Sequence, residues 1–453
     1  MAAIITTPFR VLNAENFKED VADSNTSIYL GIGKSDVWSN STSDTTDTTP
    51  FVPGDHVDDI NEAYQQLIGM KLIGASDVSH VVPRYNYADG QTFVAWDSDD
   101  SDIYDKRFYC MTSDFKVYKC LKAGSGATSV QPVHTTTSPN TGADGYTWKY
   151  MYTITTSDSE KFLTNSYMPV KTLAESPVLS DTNIDYPQQQ SQINSRASSN
   201  AAGIERIEVT AGGTYSSTPT VTISGDGTGA TATAVMSGSG STQVVSSITV
   251  TAKGTDYTVA DITFGSGDAA ARAVIAPQGG HGVNPVSELG AFYIALNSQL
   301  DGASGDLTVG NDFRQVSIVK NPYSSGTTVA TANTLKGTKY IQLAAGQSTT
   351  GFVVDQVITG GTSTAKGYLV EIDTSNLRLY YYQNSKTGYT PFANGESITG
   401  SNPTGGSATT HATAAVVAPG VVKGSGQLIF LENRAPINRS ASQIEDIKCI
   451  IEF

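Results

Sequence analysis

The chain has 453 residues, which is enough for several domains and a sizeable hydrophobic core. Only 16% of the residues are charged, whereas Gly (43) and Tyr (22) are abundant, so the composition favours strands and excludes long solvated helices. The net charge of −15 argues against a nucleic-acid-binding protein, because phosphate neutralisation needs clustered Lys and Arg that this sequence lacks. We expect a mainly β protein with a few helices, whose acidity serves solubility.

The N-terminal part is predicted to combine two helices with short strands. Residues 8–24 carry apolar side chains at roughly helical spacing, and residues 27–33 are predicted to form a buried strand. Residues 40–50 contain no large apolar residue and are predicted to be a loop. Residues 58–69 show the clearest helical pattern, with acidic residues in the first turn and a glycine at the end.

Short strands and turns are predicted to follow as far as residue 154. They are expected at residues 81–85, 93–96, 108–111, 117–121 and 148–154. In the last of these strands aromatic residues alternate with polar ones, which indicates a strand with one exposed face. Residues 162–193 lose this pattern, and we interpret them as a connection to the next module.

Two later regions contain internal repeats. Within residues 204–275 one segment occurs twice, and Gly225 and Gly227 return 40 residues later as Gly265 and Gly267. Each copy alternates β-branched strands with Gly-rich turns, the pattern of a hairpin or of half a small sandwich. We expect the two copies to bury one face against each other.

The second repeat lies within residues 340–418. Residues 352–360 recur as residues 392–400 at a constant spacing of 40, and the strand-like residues 377–382 lie between them. This region is therefore predicted to be a second small β-module.

The stretches outside the repeats are more apolar. Residues 311–322 are predicted to form a buried strand. Near the C-terminus an apolar run at residues 428–431 is followed by a predicted turn at 432–436 and a second apolar strand at 447–453. We predict one α+β core interrupted by two inserted small β-domains. The core comprises residues 1–200, 278–325 and 423–453, and the inserted modules comprise residues 201–277 and 326–422.

No local motif specifies a catalytic, cofactor-binding or metal-binding residue. Residues 31–35 end in the GKS of a phosphate-binding loop, but Ile28 stands where the first glycine is required, which favours a strand and turn. Residues 225–230 imitate a dinucleotide-binding fingerprint, yet a strand follows instead of a helix. A nucleophile with an adjacent base cannot be assembled from local motifs, so we expect neither an enzyme nor a cofactor.

The acidic run at residues 97–105 is the densest group of possible oxygen ligands. It lacks the glycine and the distal glutamate of an EF-hand loop, so a solvated acidic turn is favoured over a calcium site. The five histidines stand apart from one another: His56, His80, His134, His281 and His411. Glycines on both sides of His281 predict a tight turn, because glycine tolerates positive φ.

The cysteines and the hydropathy pattern indicate in which cellular compartment the protein assembles. Cys110, Cys120 and Cys449 contain no CxxC pair, so we predict buried free thiols. The N-terminus has no basic segment of a signal peptide, and no window approaches the roughly 20 apolar residues of a membrane span. We expect assembly in a cytoplasm and no membrane insertion.

Four blocks of the sequence, in order, resemble the baseplate wedge proteins of T-even-type contractile-tailed phages, the gene product eight family. Together they cover about half of the chain, and they are structural motifs, not catalytic ones. The blocks are residues 29–35 with Trp38, residues 117–120 with 144–152, residues 311–322 and residues 426–453.

This resemblance implies a structural protein of the virion tail baseplate, assembled in the host cytoplasm. It implies a homodimer that contacts other baseplate wedge proteins and takes a mechanical part in the baseplate rearrangement at infection. Both repeat regions are similar to Gly-rich β-modules of phage tail proteins, and the shortest members of the family lack them.

Five side chains in or near these blocks are candidates for interfaces or for the core. Arg314 and Arg434 would either fix geometry between subunits or strands through forked hydrogen bonds, or form ordinary intrachain salt bridges. Trp38, Trp96 and Trp148 are core candidates first and interface anchors second.

Two other functions are open at this point. A receptor- or glycan-binding tail protein would use the inserted β-modules and would expose aromatic platforms, for which residues 380–382 are the richest candidate. A polysaccharide-degrading enzyme would need paired carboxylates in a cleft, which the sequence permits but does not indicate.

Overall fold

The computed structural model describes residues 3–38, 47–136, 138–171, 203–302, 307, 310–402, 405–410, 414–440 and 442–453. The chain divides into two compact units. Unit 1 comprises Met1–Glu15, Ser79–Ala295 and Ile450–Phe453, and unit 2 comprises Asn16–Val78 and Leu296–Cys449. The described residues are mainly β with a few helices, as the composition predicts.

Helices and strands follow one another along the chain. Up to residue 171 they are α1 (Thr7–Ala22), β1 (Ile28–Gly33), α2 (Val57–Gln66), β2 (Leu67–Leu72), β3 (Val78–Pro83), β4 (Tyr109–Met111), β5 (Lys116–Lys122), β6 (Asn140–Thr141), β7 (Thr147–Thr153), α3 (Thr156–Phe162) and β8 (Tyr167–Pro169). From residue 203 to 302 they are β9 (Ile204–Ala211), β10 (Val221–Gly225), β11 (Thr228–Ser237), β12 (Val244–Thr255), β13 (Ala260–Phe264), β14 (Ala270–Ile275), α4 (Pro285–Glu288) and β15 (Tyr293–Asp301). The remainder contains β16 (Phe313–Lys320), β17 (Tyr323–Ser325), β18 (Thr328–Val329), β19 (Thr334–Lys336), β20 (Lys339–Gln342), β21 (Val357–Gly360), β22 (Lys366–Asp373), β23 (Arg378–Tyr382), β24 (Ser397–Gly400), β25 (Ser407–Thr409), β26 (Val416–Val417), β27 (Gln427–Ile437) and β28 (Ile444–Glu452).

A five-stranded antiparallel sheet in unit 2 has the order β19-β2-β1-β16-β27. Its strands β1 and β16 are almost entirely buried, which confirms the strands predicted at residues 27–33 and 311–322. Helix α2 contributes Tyr64 to a hydrophobic cluster with Tyr29 and Met70 of this sheet. The most apolar stretches of the sequence thus meet in one core, although they lie far apart along the chain.

The helix predicted at residues 58–69 is shorter than its pattern indicated. Helix α2 ends at Gln66, and the chain becomes extended at Leu67, where β2 begins. The N–H of Lys34 donates to the Gln66 carbonyl at 3.0 Å, and a Cβ on Gly33 would lie 3.1 Å from that oxygen. Because Gly33 has no Cβ, the backbone at Gln66 can approach β1 closely enough for hydrogen bonding. The pairing of β2 with β1 and β19 therefore overrides the helical pattern of the sequence.

The turn predicted at residues 432–436 is wrong. Strand β27 continues through it and pairs with β16, with register shifts at two places along the pair. Pro436 is tolerated because β27 is the last strand of this sheet in the described part of the chain, and an edge strand can lose an N–H. The apolar C-terminal residues are tied into β28, as predicted.

In unit 1, a four-stranded sheet has the order β4-β5-β7-β6. The exposed face predicted for β7 is wrong, since its five central residues are buried. Trp148 and Tyr150 belong to one hydrophobic cluster, whereas Met151 and Tyr152 belong to another. Strand β7 thus contributes to two hydrophobic clusters, and for this reason the alternation of aromatic and polar residues does not indicate an exposed face.

Another four-stranded sheet has the order β28-β15-β3-β8. The strand predicted at residues 93–96 does not form, although the Trp96 N–H donates to the Cys120 carbonyl at 2.8 Å. The loop predicted at residues 40–50 and the connection predicted at 162–193 lie largely outside the described residues. The predicted burial of side chains is confirmed for Trp38, Trp96 and Trp148 and for the free thiols of Cys110, Cys120 and Cys449.

The first repeat region forms a six-stranded sheet in the order β10-β13-β14-β9-β12-β11. Its two copies pack reciprocally, because each places a buried tyrosine on a glycine of the other. A Cβ on Gly227 would lie 2.4 Å from the ring of Tyr257, and a Cβ on Gly267 would lie 2.4 Å from the ring of Tyr215. The repeated glycines are therefore the surfaces that receive these two rings.

The second repeat region forms a seven-stranded sheet in the order β25-β24-β21-β22-β23-β20-β26. Its repeated segments pair with each other as the neighbouring antiparallel strands β21 and β24. Gln356 of the first copy accepts the Asn402 N–H at 3.1 Å, and Glu396 of the second accepts the Thr362 N–H at 3.0 Å. The spacing of 40 residues thus reflects one structural unit used twice.

Candidate functional site

The acidic run at residues 97–105 is largely the solvated turn that was favoured, since Asp99, Asp102 and Asp105 are exposed, but its first residue is not. Asp97 is buried and accepts hydrogen bonds from Arg206 at 3.2 Å and from Arg272 at 2.9 Å. The Arg272 guanidinium lowers the pKa of Asp97. Within the described ranges, no three His, Cys, Asp or Glu side chains are grouped so that they could hold a metal ion.

A pocket in unit 2 brings charged, amide and aromatic side chains together. Its volume is about 330 Å³, within the range of ligand sites. We name it the Trp38 pocket. It is lined by Lys34, Trp38, Phe51, Pro53, Asp59, Glu62, Gln66, Gln315, Asn384, Ser385, Lys386, Leu431 and Asn433.

Buried Asp36 holds the two lysines of the pocket. Its carboxylate is 3.0 Å from Lys34 Nζ and 2.9 Å from Lys386 Nζ, and it accepts the Tyr382 hydroxyl at 2.6 Å. Burial acts to raise the pKa of Asp36, but Lys34 and these hydrogen bonds outweigh it and keep the pKa below its usual value. Lys34 adopts a left-handed backbone conformation with φ +57°, which is uncommon for a residue with a side chain. Both ammonium groups therefore have a counter-charge within the chain.

Helix α2 supplies the polar floor. Glu62 accepts hydrogen bonds from the Tyr389 hydroxyl at 2.5 Å, the Ser385 N–H at 3.0 Å and Gln66 Nε2 at 2.8 Å. Burial acts to raise the pKa of Glu62, but its hydrogen bonds outweigh this effect and lower the pKa. Gln66 is only 5% exposed, and its Oε1 is buried without a partner in the described part of the chain.

An aromatic wall faces this floor. The Trp38 indole N–H donates to the Arg434 carbonyl at 2.9 Å, which fixes the ring. The Phe51 ring lies edge-on to Trp38 at 5.2 Å between ring centres. Val37 and Val52 adjoin these residues in sequence and are 58% and 87% exposed.

Arg314 and Arg434 both find partners within the chain. The Arg314 guanidinium forks onto the two carboxylate oxygens of Asp47 at 2.6 and 2.8 Å and donates to the Ser35 carbonyl at 2.5 Å. Arg434 lies 3.4 Å from Glu432, and both of those side chains are more than a third exposed. Of the two interpretations of Arg314, the structure contains the intrachain ion pair, in forked geometry.

Unit 1 contains a buried ionic cluster that sequence reasoning missed. Lys119 is fully buried, and its Nζ lies 2.8 Å from Glu288. The His281 ring nitrogens lie 3.7 Å from Glu288 and 3.6 Å from Glu205. Burial acts to raise the pKa of Glu288, but Lys119 and His281 outweigh it and lower that pKa to about 2. These residues are distant in sequence, so no local spacing could have revealed them.

The turn around His281 forms as predicted. Gly279, Gly280 and Gly282 have φ of +79°, +88° and +93°. Tight glycine geometry points the histidine into the cluster, against the Trp96 ring at 5.0 Å. His411 lies outside the described residues.

Comparison with known families now bears on the function. Residues 3–138 match the family described as Bacteriophage T4, Gp8. This segment belongs to the Gp8 family. The T4 member is a baseplate wedge protein, and the match assigns the chain to the baseplate of a phage virion tail in a structural role. A search of curated proteins finds no match.

The Gp8 match covers one of the four resembling blocks completely and a second one in part. It includes residues 29–38 and 117–120, whereas residues 144–152, 311–322 and 426–453 lie beyond it. Gp8 proteins are structural and are not a known enzyme family. Among the described helices, none combines the length and apolar character needed to cross a bilayer.

Proposed function

We propose that the protein is a structural subunit of a contractile phage tail baseplate wedge, and that it holds neighbouring wedge proteins through protein–protein interfaces. The observation that carries this proposal is the Gp8 match over residues 3–138. The carboxylates of Asp36, Glu62 and Glu288 are engaged by partners within the chain.

Our proposal extends to assembly and movement. The protein would pair as a homodimer, contact other wedge proteins, and take part in the baseplate rearrangement at infection through rigid-body shifts between subunits. The β-modules at residues 201–277 and 326–422 would be insertions into the wedge core, since β9–β14 form one sheet of their own and β20–β26 form another, although β19 pairs with β2 of the core sheet.

The receptor- or glycan-binding alternative is less well supported. It needs exposed aromatic platforms on the β-modules, and residues 380–382 were its richest candidate. Tyr380 is 7% exposed, and Tyr381 and Tyr382 are fully buried, so these rings stabilise the second module from within.

Complementation of a phage that lacks this gene tests the proposal. The wild-type chain is expected to restore contractile tails, counted by electron microscopy, and a tag on the chain is expected to lie at the baseplate. Complete baseplates without the chain, or a tag located only on tail fibres, would show that the proposal is wrong.

A further inference from the structure

The His281 ring lies between two carboxylates that come from different parts of unit 1. Its Nε2 is 3.6 Å from Glu205 Oε2, and its Nδ1 is 3.7 Å from Glu288 Oε2. The side chain is 5% exposed, and in the described part of the chain neither ring nitrogen has a hydrogen-bond partner. Both ends of the ring thus face groups that can only accept hydrogen bonds when they are ionised.

The charge of the ring decides whether this arrangement is favourable. An imidazolium carries an N–H on both nitrogens and can direct one towards each carboxylate. A neutral imidazole carries only one N–H, so the lone pair of its other nitrogen must face a carboxylate oxygen. Because the ring is buried, water does not screen this repulsion as it does at a surface. Histidine side chains change charge between about pH 5 and 8, which makes such a contact sensitive to pH near neutrality.

Three lysines from neighbouring strands face the same carboxylates. Lys119 Nζ of β5 lies 2.8 Å from Glu288 Oε2. Lys253 of β12 pairs with Glu205, and the buried Lys149 of β7 interacts electrostatically with both glutamates. Burial acts to raise the pKa of each glutamate, but the positive partners outweigh it and lower each pKa to about 2. Both carboxylates therefore stay ionised where a histidine titrates, and the ring is the group whose charge decides the contact.

The bridge joins the first repeat module to the rest of unit 1. Glu205 lies on β9, the first strand of the module, and His281 lies in the turn that follows β14, its last strand. Glu288 belongs to α4, and its Oε1 accepts the Gly282 N–H at 2.8 Å, which holds the turn in place. A protonated ring thus connects the entry and the exit of the module with one helix.

We propose that His281 is a proton-dependent clasp between the first repeat module and α4. With both ring nitrogens protonated, the ring bridges Glu205 and Glu288. When one proton is lost, the turn at residues 279–284 and the start of β9 loosen. This inference concerns the chain itself and goes beyond the proposed function, so either can fail without the other.

Hydrogen–deuterium exchange of the purified full-length chain, followed by mass spectrometry, tests the clasp. Protection is compared at about pH 5.5 and about pH 7.5, after correction for the intrinsic effect of pH on exchange. Both values lie below the pKa of about 8 to which burial lowers that of Lys149. Wild-type peptides that contain Glu205 or residues 279–284 are expected to lose protection roughly three- to tenfold at the higher pH, since one histidine proton allows no more. Peptides from β1 report global unfolding and should not change. Equal or stronger protection at the higher pH overturns the inference.

Two variants and a control connect the effect with the bridge. His281→Gln cannot gain or lose a proton, and Glu205→Gln offers the neutral ring an N–H donor in place of a carboxylate. Both are expected to reduce the pH effect to less than about twofold, and Glu205→Gln decides the question if His281→Gln does not fold. His56→Gln, at a side chain that is 60% exposed, is the control and should keep the wild-type difference. A wild-type difference in Glu205→Gln, or its loss in His56→Gln, also overturns the clasp.

Discussion

Arg314 and Arg434 are two arginines of one sheet with very different surroundings. The Arg314 side chain is 6% exposed and makes two hydrogen bonds to Asp47 and one to the Ser35 carbonyl. Arg434 is 38% exposed and faces Glu432 across 3.4 Å. An ion pair contributes more to stability when it is buried and forked, because an exposed pair is screened by water and contributes little.

We expect Arg314→Ala to lower the free energy of unfolding by about 2 kcal/mol, because it removes the counter-charge of Asp47 and the guanidinium donor to the Ser35 carbonyl. The matched variant Arg434→Ala should change it by less than about 0.5 kcal/mol. Urea denaturation of both variants at neutral pH measures the difference. Equal effects of the two substitutions would contradict the structural role assigned to Arg314.

The ionic cluster of unit 1 predicts acid lability. The pKa of Glu288 is lowered from 4.5 to about 2 in the folded state, and that of Glu205 likewise. Since the folded pKa lies below the unfolded one, both carboxylates stabilise the fold above about pH 4.5, and this contribution is lost as the pH falls towards 2. Unfolding midpoints in urea should therefore drop steeply across this interval.

The substitution Glu288→Gln tests whether Glu288 causes the loss of stability in acid. The variant should be less stable than the wild type at pH 7, because Lys119 loses its buried counter-charge, and its stability should fall less steeply between pH 4.5 and 2. Glu432→Gln, at the half-exposed pair, is the control and should keep the wild-type slope. If the stability of Glu288→Gln fell with pH as steeply as that of the wild type, the ionic cluster would not be the cause of the acid lability.

At the scale of elements, the repeats show how glycine encodes packing. Gly227 lies under the Tyr257 ring, and the Gly267 backbone lies under Tyr215 in the other copy. Gly265, which belongs to the same repeated turn, has neighbours no closer than 3.5 Å to an added Cβ. Glycines of the same repeated motif therefore differ in whether a tyrosine ring packs on them, and the sequence alone does not show this difference.

Gly227→Ala is expected to lower the free energy of unfolding by about 2 kcal/mol, because the new methyl group must displace the Tyr257 ring and the Thr255 carbonyl. Gly265→Ala adds the same methyl group where there is room, and should change stability by less than about 0.5 kcal/mol. Thermal melting followed by circular dichroism compares the two. A tolerated Gly227→Ala would mean that the ring moves aside without cost.

Much of the fold could be predicted from the sequence wherever local pattern and tertiary pairing agree. Strands β1 and β16 are apolar throughout and are buried, and both repeats were visible as spacings of 40 residues. The failures share one cause. The end of α2, the predicted turn within β27 and the second face of β7 are decided by partners distant in sequence, which periodicity does not register.

The candidate site was less predictable than the fold. Lys34 lay in an incomplete phosphate-binding motif and in a family-like block, with no role of its own assigned, and Gln66 was only one residue of a predicted helix. The pocket joins α2, β27 and the segment after β23, and such a convergence of distant segments has no local signature. Trp38 was the exception, since a lone tryptophan beside a family-like strand is a candidate for core or interface on its own.

At the scale of the whole molecule, uncovered apolar side chains bear on assembly. Ile4, Ile5, Phe9 and Leu12 are 85%, 70%, 52% and 49% exposed, all within one short stretch at and before the start of α1. Scattered exposed apolar residues are ordinary, but four large ones so close together favour a surface that is covered in the assembled state. The proposed homodimer would supply such a cover.

We therefore expect the purified chain to have a solution mass near twice 47.7 kDa in light scattering over a range of concentrations. Phe9→Glu should shift the population towards the single chain, because a carboxylate at this surface would be desolvated on association. Val133→Glu, at a position 66% exposed elsewhere in unit 1, is the control and should leave the mass unchanged. A trimer would instead favour a fibre-like or receptor-binding assembly. A wild-type chain that remains a monomer at every concentration would contradict a dimer that forms without partners. Pairing would then require other wedge proteins.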